Sequence, residues 1–207
     1  MNSPAPQTIY LGSKSPRRRE LLKQIGVHFE LLMTRDNPPD RVDVDESPLP
    51  GEVPQQYVVR IVALKAAAAE AVMRSRHLPT RPVLTADTTV TLNGEILGKP
   101  LNADDAARML RLLSGHTHQV LTAVAVSFEH KLHQALSTSY VTFAPLDDAM
   151  IRRYIDSGEP MDKAGAYAIQ GQAAKFITKL SGSYTGVMGL PLFETTQLLR
   201  EVGLRNL

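Results

Sequence analysis

A mixed α/β fold, a twisted mixed sheet with flanking helices, is what this 207-residue sequence predicts. Three observations point there. Helical and strand periodicities alternate along most of the chain. An Asn93-Gly94 hairpin signal falls among the helices, which a regular parallel doubly wound sheet would not contain. Hydrophobic residues at 43% and charged residues at 21% match an ordinary globular chain with a proper core. The expected arrangement is one domain over residues 1–207, in two lobes around a cleft, with residues 1–7 as a loose tail.

The elements follow in order. "TIYLGS" reads as a first strand. A helix over 16–25 comes next, with Ser15 as N-cap, Pro16 at the first helical position and Gly26 at its end. "VHFELLM" reads as a second strand. Residues 35–54 carry five prolines and six acids and form a long loop, a length that usually signals function or disorder. Pro54 opens a long helix to about residue 76, where "ALKAAAAEAVM" supplies high propensity. "PVLTADTTVTLNGEIL" is the hairpin. "NADDAARMLRLLSG" is a helix capped by Asn102 and closed by Gly115. "HQVLTAVAVSF" and "HQALSTSYVTFAPL" read as two strands joined near "EHKLH". "DDAMIRRYIDSG" is a capped helix, "KFITKL" and "YTGVMG" a strand pair around Ser181-Gly182, and Pro191 starts a last helix ending near Gly203.

Composition removes several classes of function. Lys plus Arg number 23 against 21 Asp plus Glu, a net charge of +2, which does not suit a general nucleic-acid coat. With no cysteine, disulfides and thiolate metal sites are excluded. The N-terminal residues show no secretory pattern, and no stretch approaches the roughly 18 apolar residues of a membrane span, so a soluble cytoplasmic protein is expected.

Three oddities mark candidate chemistry. Arg17, Arg18 and Arg19 sit in the first turn of a helix, at the positive end of its dipole. Arg18 nearly shares the direction of the apolar Leu21, Leu22 and Ile25, with Arg17 on the flank, whereas Arg19 falls with Lys23 as ordinary surface charge. Helix N-termini present free N–H groups to anions, so Arg17 and Arg18 predict a phosphate or carboxylate site. Lys65 lies at the centre of the face made by Val58, Ile61, Val62, Ala69 and Val72. Spacing leaves a snorkelling stem and a cleft-facing ammonium equally open. Asp87 interrupts a strand in which Leu84, Ala86, Val90 and Leu92 take one face and Thr85, Thr89 and Thr91 the other. An aspartate there either faces water or is placed to hold a divalent ion or deprotonate a water. The loop acids Asp43, Asp45 and Glu46 and the pairs His116/His118 and His130/His133 are weaker candidates. No P-loop, dinucleotide fingerprint or nucleophile elbow is present.

"SKSPRRRELL", "DESPLPGE", "YVVRIVALKA", "ADTTV", "GKP", "LSGHTHQVLTAVAV", "EPMDKAGAYAIQG" and "GSYTGVMGLPL" resemble, in order, the motifs of the Maf family of nucleoside triphosphate pyrophosphatases, over about residues 9 to 200. The resemblance implies an elongated two-lobed fold similar to that of inosine triphosphate pyrophosphatases, and a homodimer. It places the phosphate-binding serines on Ser13 and Ser15, a phosphate ligand on Arg18, and lysines near the triphosphate on Lys65 and Lys99. It places the proton acceptor on Asp87, a metal-site acid on Glu46 beside Asp87, and cleft-shaping residues on Asp162 and Lys163. The implied cofactor is a divalent cation, Mg²⁺ or Mn²⁺. The branch resembling thymidine and uridine triphosphate hydrolases has arginine after Ser-Pro, threonine after the aspartate and glutamine before the glycine of "IQG". Arg17, Thr88 and Gln170 agree, where the 7-methylguanosine branch has tryptophan, glutamine and glutamate. The Gln170 amide both donates and accepts, which matches N3–H and the carbonyl of uracil and thymine.

The expected function is therefore hydrolysis of dTTP or UTP to monophosphate and pyrophosphate, without nucleic-acid or membrane partners. Alternatives are a purine or modified nucleotide as substrate, a non-catalytic nucleotide-binding regulator of division, or a nucleic-acid module on the Arg17–Arg19 run. Aromatics at 5% offer no stacking platform for the last.

Overall fold

The computed structural model describes residues 8–32 and 44–204. The expected tail 1–7, the loop stretch 35–43 and the candidate ligand Asp43 lie outside the described residues. In chain order the elements are β1 (Thr8–Leu11), α1 (Pro16–Gln24), β2 (His28–Leu31), α2 (Pro54–Ser75), β3 (Val83–Leu92), β4 (Glu95–Leu97), α3 (Ala103–Leu113), β5 (Thr117–Phe128), β6 (Lys131–Phe143), α4 (Asp148–Asp156), β7 (Ile177–Ser181), α5 (Tyr184–Met188) and α6 (Leu192–Glu201). Short 3₁₀ turns over Glu159–Asp162, Ala164–Ala166 and Gln172–Phe176 fill the stretch between α4 and β7.

One mixed sheet runs through the molecule in the order β2-β1-β3-β5-β6-β7. β1 pairs in parallel with β2 and β3, and the remaining pairings are antiparallel. β3 is paired along most of its length by β5, from Val83↔Ser127 to Thr91↔Gln119. Its other edge is shared: β1 pairs only with Val83 and Leu84, and β4 only with Val90 to Leu92. Between them the edge of β3 over residues 85–89 has no strand partner among the described residues. That gap positions the site.

Both faces of β3 are covered. On one, Tyr57, Val58, Ile61, Val62 and Ala66 of α2 pack on Leu121, Ala123 and Ala125 of β5. The other face carries two cores. Leu21 and Leu22 of α1 and Leu198 and Leu199 of α6 close over Leu84, Ala86, Val124 and Val126. Met109, Leu110 and Leu113 of α3 and Ile151 and Tyr154 of α4 close over Val90, Val120, Val141 and Phe143. Between these cores the register places Thr88 beside Thr122. This polar pair lies between the two cores.

Most elements lie where the sequence puts them. The Asn93-Gly94 turn has φ of 52° and 84°, the paired left-handed conformation of a tight hairpin. The β5–β6 turn is tighter than expected, only Glu129 and His130, with φ of 48° and 64°. One expectation fails. "YTGVMG" is not a strand but the helix α5: Ser183 caps it by accepting from the Gly186 N–H, and Gly189 ends it at φ 115°. The strand partner of β7 is β6, through Tyr140↔Ser181 to Phe143↔Ile177. Among the described residues no helix is long and apolar enough to cross a membrane.

Candidate active site

The open stretch of β3 borders a cleft of about 530 Å³. A strand sends successive side chains to opposite faces, so Asp87 and Thr88 reach one cavity only because the edge between them is unpaired. All the singled-out residues that the sequence names for phosphate, base and metal line this cleft: Ser13, Ser15, Arg17 and Arg18 from the α1 entry, Glu46 and Lys65 from the α2 side, Asp87 and Thr88 from β3, Lys99 after β4, and Asp162, Lys163 and Gln170 from the 3₁₀ segment.

Lys65 resolves toward the cleft. Its Nζ stands 2.6 Å from Asp87 Oδ1 and 2.8 Å from Glu46 Oε1. The snorkelling alternative is set aside, because the ammonium bridges two carboxylates and only a fifth of the side chain is exposed. Asp87, 7% exposed, does not face bulk water either. Tyr57, which the sequence reading did not single out, donates its hydroxyl to the Glu46 carbonyl at 3.0 Å and lines the same cleft. Burial pushes the Tyr57 phenol up to about 12, with the charges of Asp87 and Glu46 adding to the effect.

Arg18 is held on the opposite side. Its Nε donates to the Gly189 carbonyl at 2.7 Å, Nη1 to Ser13 Oγ at 3.1 Å and Nη2 to Thr88 Oγ1 at 3.4 Å. Thr122 fixes Thr88 in turn, donating to its Oγ1 at 3.1 Å. Burial draws the Arg18 pKa below its usual value, against the opposing pull of Asp87. A guanidinium remains charged under such a shift. Gly189 is favoured here by its left-handed backbone, φ 115°, while a Cβ would make only ordinary contact with Thr88 Oγ1 at 3.6 Å and Arg18 Nε at 3.8 Å. The β-former content of "YTGVMG" masks this role in the sequence, although Ser183 and Gly189 are themselves helix start and stop signals.

Ser13 Oγ also accepts from the Ser15 N–H at 3.2 Å, shaping the loop that presents the α1 N-terminus to the cleft. Lys99 is exposed and lines the cleft after β4. Lys163 pairs with the Asp162 carboxylate and donates to the Glu159 carbonyl at 3.0 Å. The Lys163 bond, first, and Arg17 charge hold the Asp162 carboxyl below the ordinary carboxylate range. Of the weaker candidates, His118 is buried against Phe143 and Tyr167, with Nε2 2.8 Å from the Tyr167 hydroxyl. Desolvation lowers its pKa to about 4. His116, His130 and His133 are not on the cleft wall.

Glu46 and Asp87 point their carboxylates at one spot, which Lys65 Nζ now shares. Among the described residues no group of three acids or histidines forms a protein-only cage. Two hard oxygen donors beside an open cleft nevertheless suit a divalent cation whose remaining ligands are phosphate oxygens and waters, the usual way Mg²⁺ is held.

The chain matches the family described as Maf-like protein over residues 8–202. It is 54% identical over 199 residues to a dTTP/UTP pyrophosphatase of Dechloromonas aromatica (strain RCB), covering 96% of this chain and 99% of that one. It is 56% identical over 201 residues to a dTTP/UTP pyrophosphatase of Aromatoleum aromaticum, covering 97% and 98%. Among solved structures it is similar to the Staphylococcus aureus Ham1 protein, with a TM-score of 0.51 over 92% of this chain and 97% of the other. At 16% identity that likeness bears on the fold alone.

Proposed function

The chain belongs to the Maf-like protein family, and from that premise we propose that it is a nucleoside triphosphate pyrophosphatase acting on dTTP and UTP, cleaving between the α and β phosphates. The observation that carries this reading is a single cleft with cations on two sides and a carboxylate between them. Arg18 sits on one wall, Lys65 on the other and Lys99 at the β4 end, with the α1 N-terminus alongside. A polyanionic triphosphate needs such neutralisation, most of all as negative charge moves onto the departing pyrophosphate.

Asp87 supplies the base. Its carboxylate accepts the proton of the attacking water as the oxygen bonds to the α-phosphorus and the α–β anhydride bond breaks toward pyrophosphate. Lys65 holds that carboxylate in place at 2.6 Å before substrate arrives. Arg18, clamped by Ser13, Thr88 and Gly189, keeps a fixed donor fork for an equatorial phosphate oxygen. Glu46 and Asp87 would hold a divalent cation, which would add positive charge against the phosphate oxygens. Gln170 on the cleft wall would read the pyrimidine edge, donating to a ring carbonyl and accepting from N3–H. A homodimer and a cytoplasmic location accompany this reading as proposals.

The test is a panel of triphosphates with Mg²⁺ or Mn²⁺, scoring pyrophosphate separately from orthophosphate. UTP and dTTP should exceed CTP, ATP, GTP and 7-methyl-GTP in kcat/KM, with monophosphate and pyrophosphate as the primary products. Orthophosphate as the first product, or a purine preference, would overturn the assignment.

A further inference from the structure

Gln170 stands on a turn whose conformation is set from outside the cleft. Two hydrogen bonds bracket it. The Ala168 N–H donates to the Tyr154 hydroxyl at 3.3 Å, and the Gln172 N–H donates to Glu159 Oε2 at 3.0 Å. These acceptors are joined, since the Tyr154 hydroxyl donates to Glu159 Oε1 at 2.8 Å. Within the turn, the Gly171 N–H donates to the Ala168 carbonyl at 3.1 Å. Glu159 thus closes a loop of bonds with Gln170 at its centre. The backbone carbonyl of Glu159 adds a second tie, accepting from Lys163 Nζ at 3.0 Å.

Gly171 shows how close the carboxylate lies. A Cβ there would meet Glu159 Oε1 at 2.3 Å, so any larger residue must push the carboxylate off its donors. The glycine is needed for this approach and not for its backbone angle, as its φ is −102°. Tyr154 is wholly buried between Phe176 and the core, so its hydroxyl cannot follow a displaced partner.

We propose that Glu159 is a positioning residue for base selection, holding the Ala168–Gln172 turn so that the Gln170 amide meets the pyrimidine edge in one orientation. The inference rests on the reading of Gln170 given above. Discrimination between uracil and cytosine depends on where one donor and one acceptor point, because cytosine has no N3–H and carries an amino group in place of the carbonyl. A carboxylate accepts from both Tyr154 and Gln172, whereas the amide of a glutamine has one acceptor oxygen: if that oxygen keeps the Gln172 N–H, the NH2 faces Tyr154 and the buried hydroxyl proton loses its acceptor.

The test compares kcat/KM for UTP and CTP in the intact protein and in Glu159→Gln, Gly171→Ala and Gln170→Ala, with melting temperature measured in parallel. Glu159→Gln and Gly171→Ala should each lower the UTP-to-CTP ratio by about tenfold, the size expected for one misplaced hydrogen bond. The loss should fall on KM for UTP, with kcat for UTP and both constants for CTP nearly unchanged. Gly171→Ala leaves Glu159 itself present, so it carries the test if Glu159→Gln does not fold. An equal loss for both nucleotides would mean a merely structural role and would overturn the proposal. So would an unchanged ratio in these two variants while Gln170→Ala lowers it, an outcome that leaves the reading of Gln170 standing. An unchanged ratio in Gln170→Ala would sink that reading and the proposal with it.

Discussion

His118 shows at the residue scale how burial sets a pH response remote from the chemistry. It is 1% exposed, its Nδ1 has no partner, and its pKa is lowered to about 4. An unfolded histidine takes up a proton near pH 6.5. Below that pH the unfolded chain therefore binds a proton that the folded chain refuses until about pH 4, and stability falls as pH drops through this window. The loss from this residue levels off at about 3 kcal/mol. Urea unfolding at pH 7, 6, 5 and 4 should show the midpoint falling, and His118→Gln, which cannot be protonated, should have a flatter profile over the same range. Equal profiles for the two proteins would exclude His118 as the cause. The same scale explains what the sequence could and could not announce. Lys65 on an apolar helix face, Asp87 inside a strand, and Arg17 and Arg18 at a helix N-terminus each break a local rule, and these four line the cleft. Tyr57, Glu159 and Gly189 break none. Their importance lies in partners distant along the chain, such as Arg18 Nε on the Gly189 carbonyl, and pattern alone does not reveal those.

Elements divide the same way. α2 was legible because nine of its residues bury one continuous stripe, a long and strong signal. α5 was not, since five residues rich in β-formers look like a strand unless the caps at Ser183 and Gly189 are weighed first. The hairpin turns make a natural pair. Asn93-Gly94 uses the residues that a left-handed turn favours, whereas Glu129-His130 holds two ordinary side chains at φ 48° and 64°. Such residues in this conformation carry strain of order 1 kcal/mol or more each. The double change Glu129→Asn/His130→Gly should raise stability by about 1–2 kcal/mol, read as a higher urea midpoint at unchanged slope. No gain would mean that side-chain contacts at this turn offset the strain. The turn is remote from the cleft, so kcat/KM should not move.

On the scale of the whole molecule, the site exists because the sheet is incomplete. β1 and β4 each take part of one edge of β3, and the segment between them opens both faces of the strand to one cavity. The two cores on the α1/α6 and α3/α4 sides flank the Thr88–Thr122 pair, with Met188 packed against both, so the cleft lies between two cores that share a sheet. The mixed topology was readable from the hairpin among helices, whereas the lobed arrangement around a cleft was implied by the resemblance to the Maf family. The gap was not, because it depends on how far β1 and β4 extend along a strand remote from β1 in sequence. From this geometry Asp87 should serve the chemical step while cations elsewhere in the cleft bind the nucleotide. The most direct test sets UTP turnover beside thermal stabilisation by a UTP analogue with a non-hydrolysable α–β bridge, in the intact protein and in Asp87→Asn. The account predicts that the variant loses about 10²–10⁴-fold in kcat yet is still stabilised by saturating analogue to nearly the same extent as the parent. Turnover within a few-fold of the parent would contradict it.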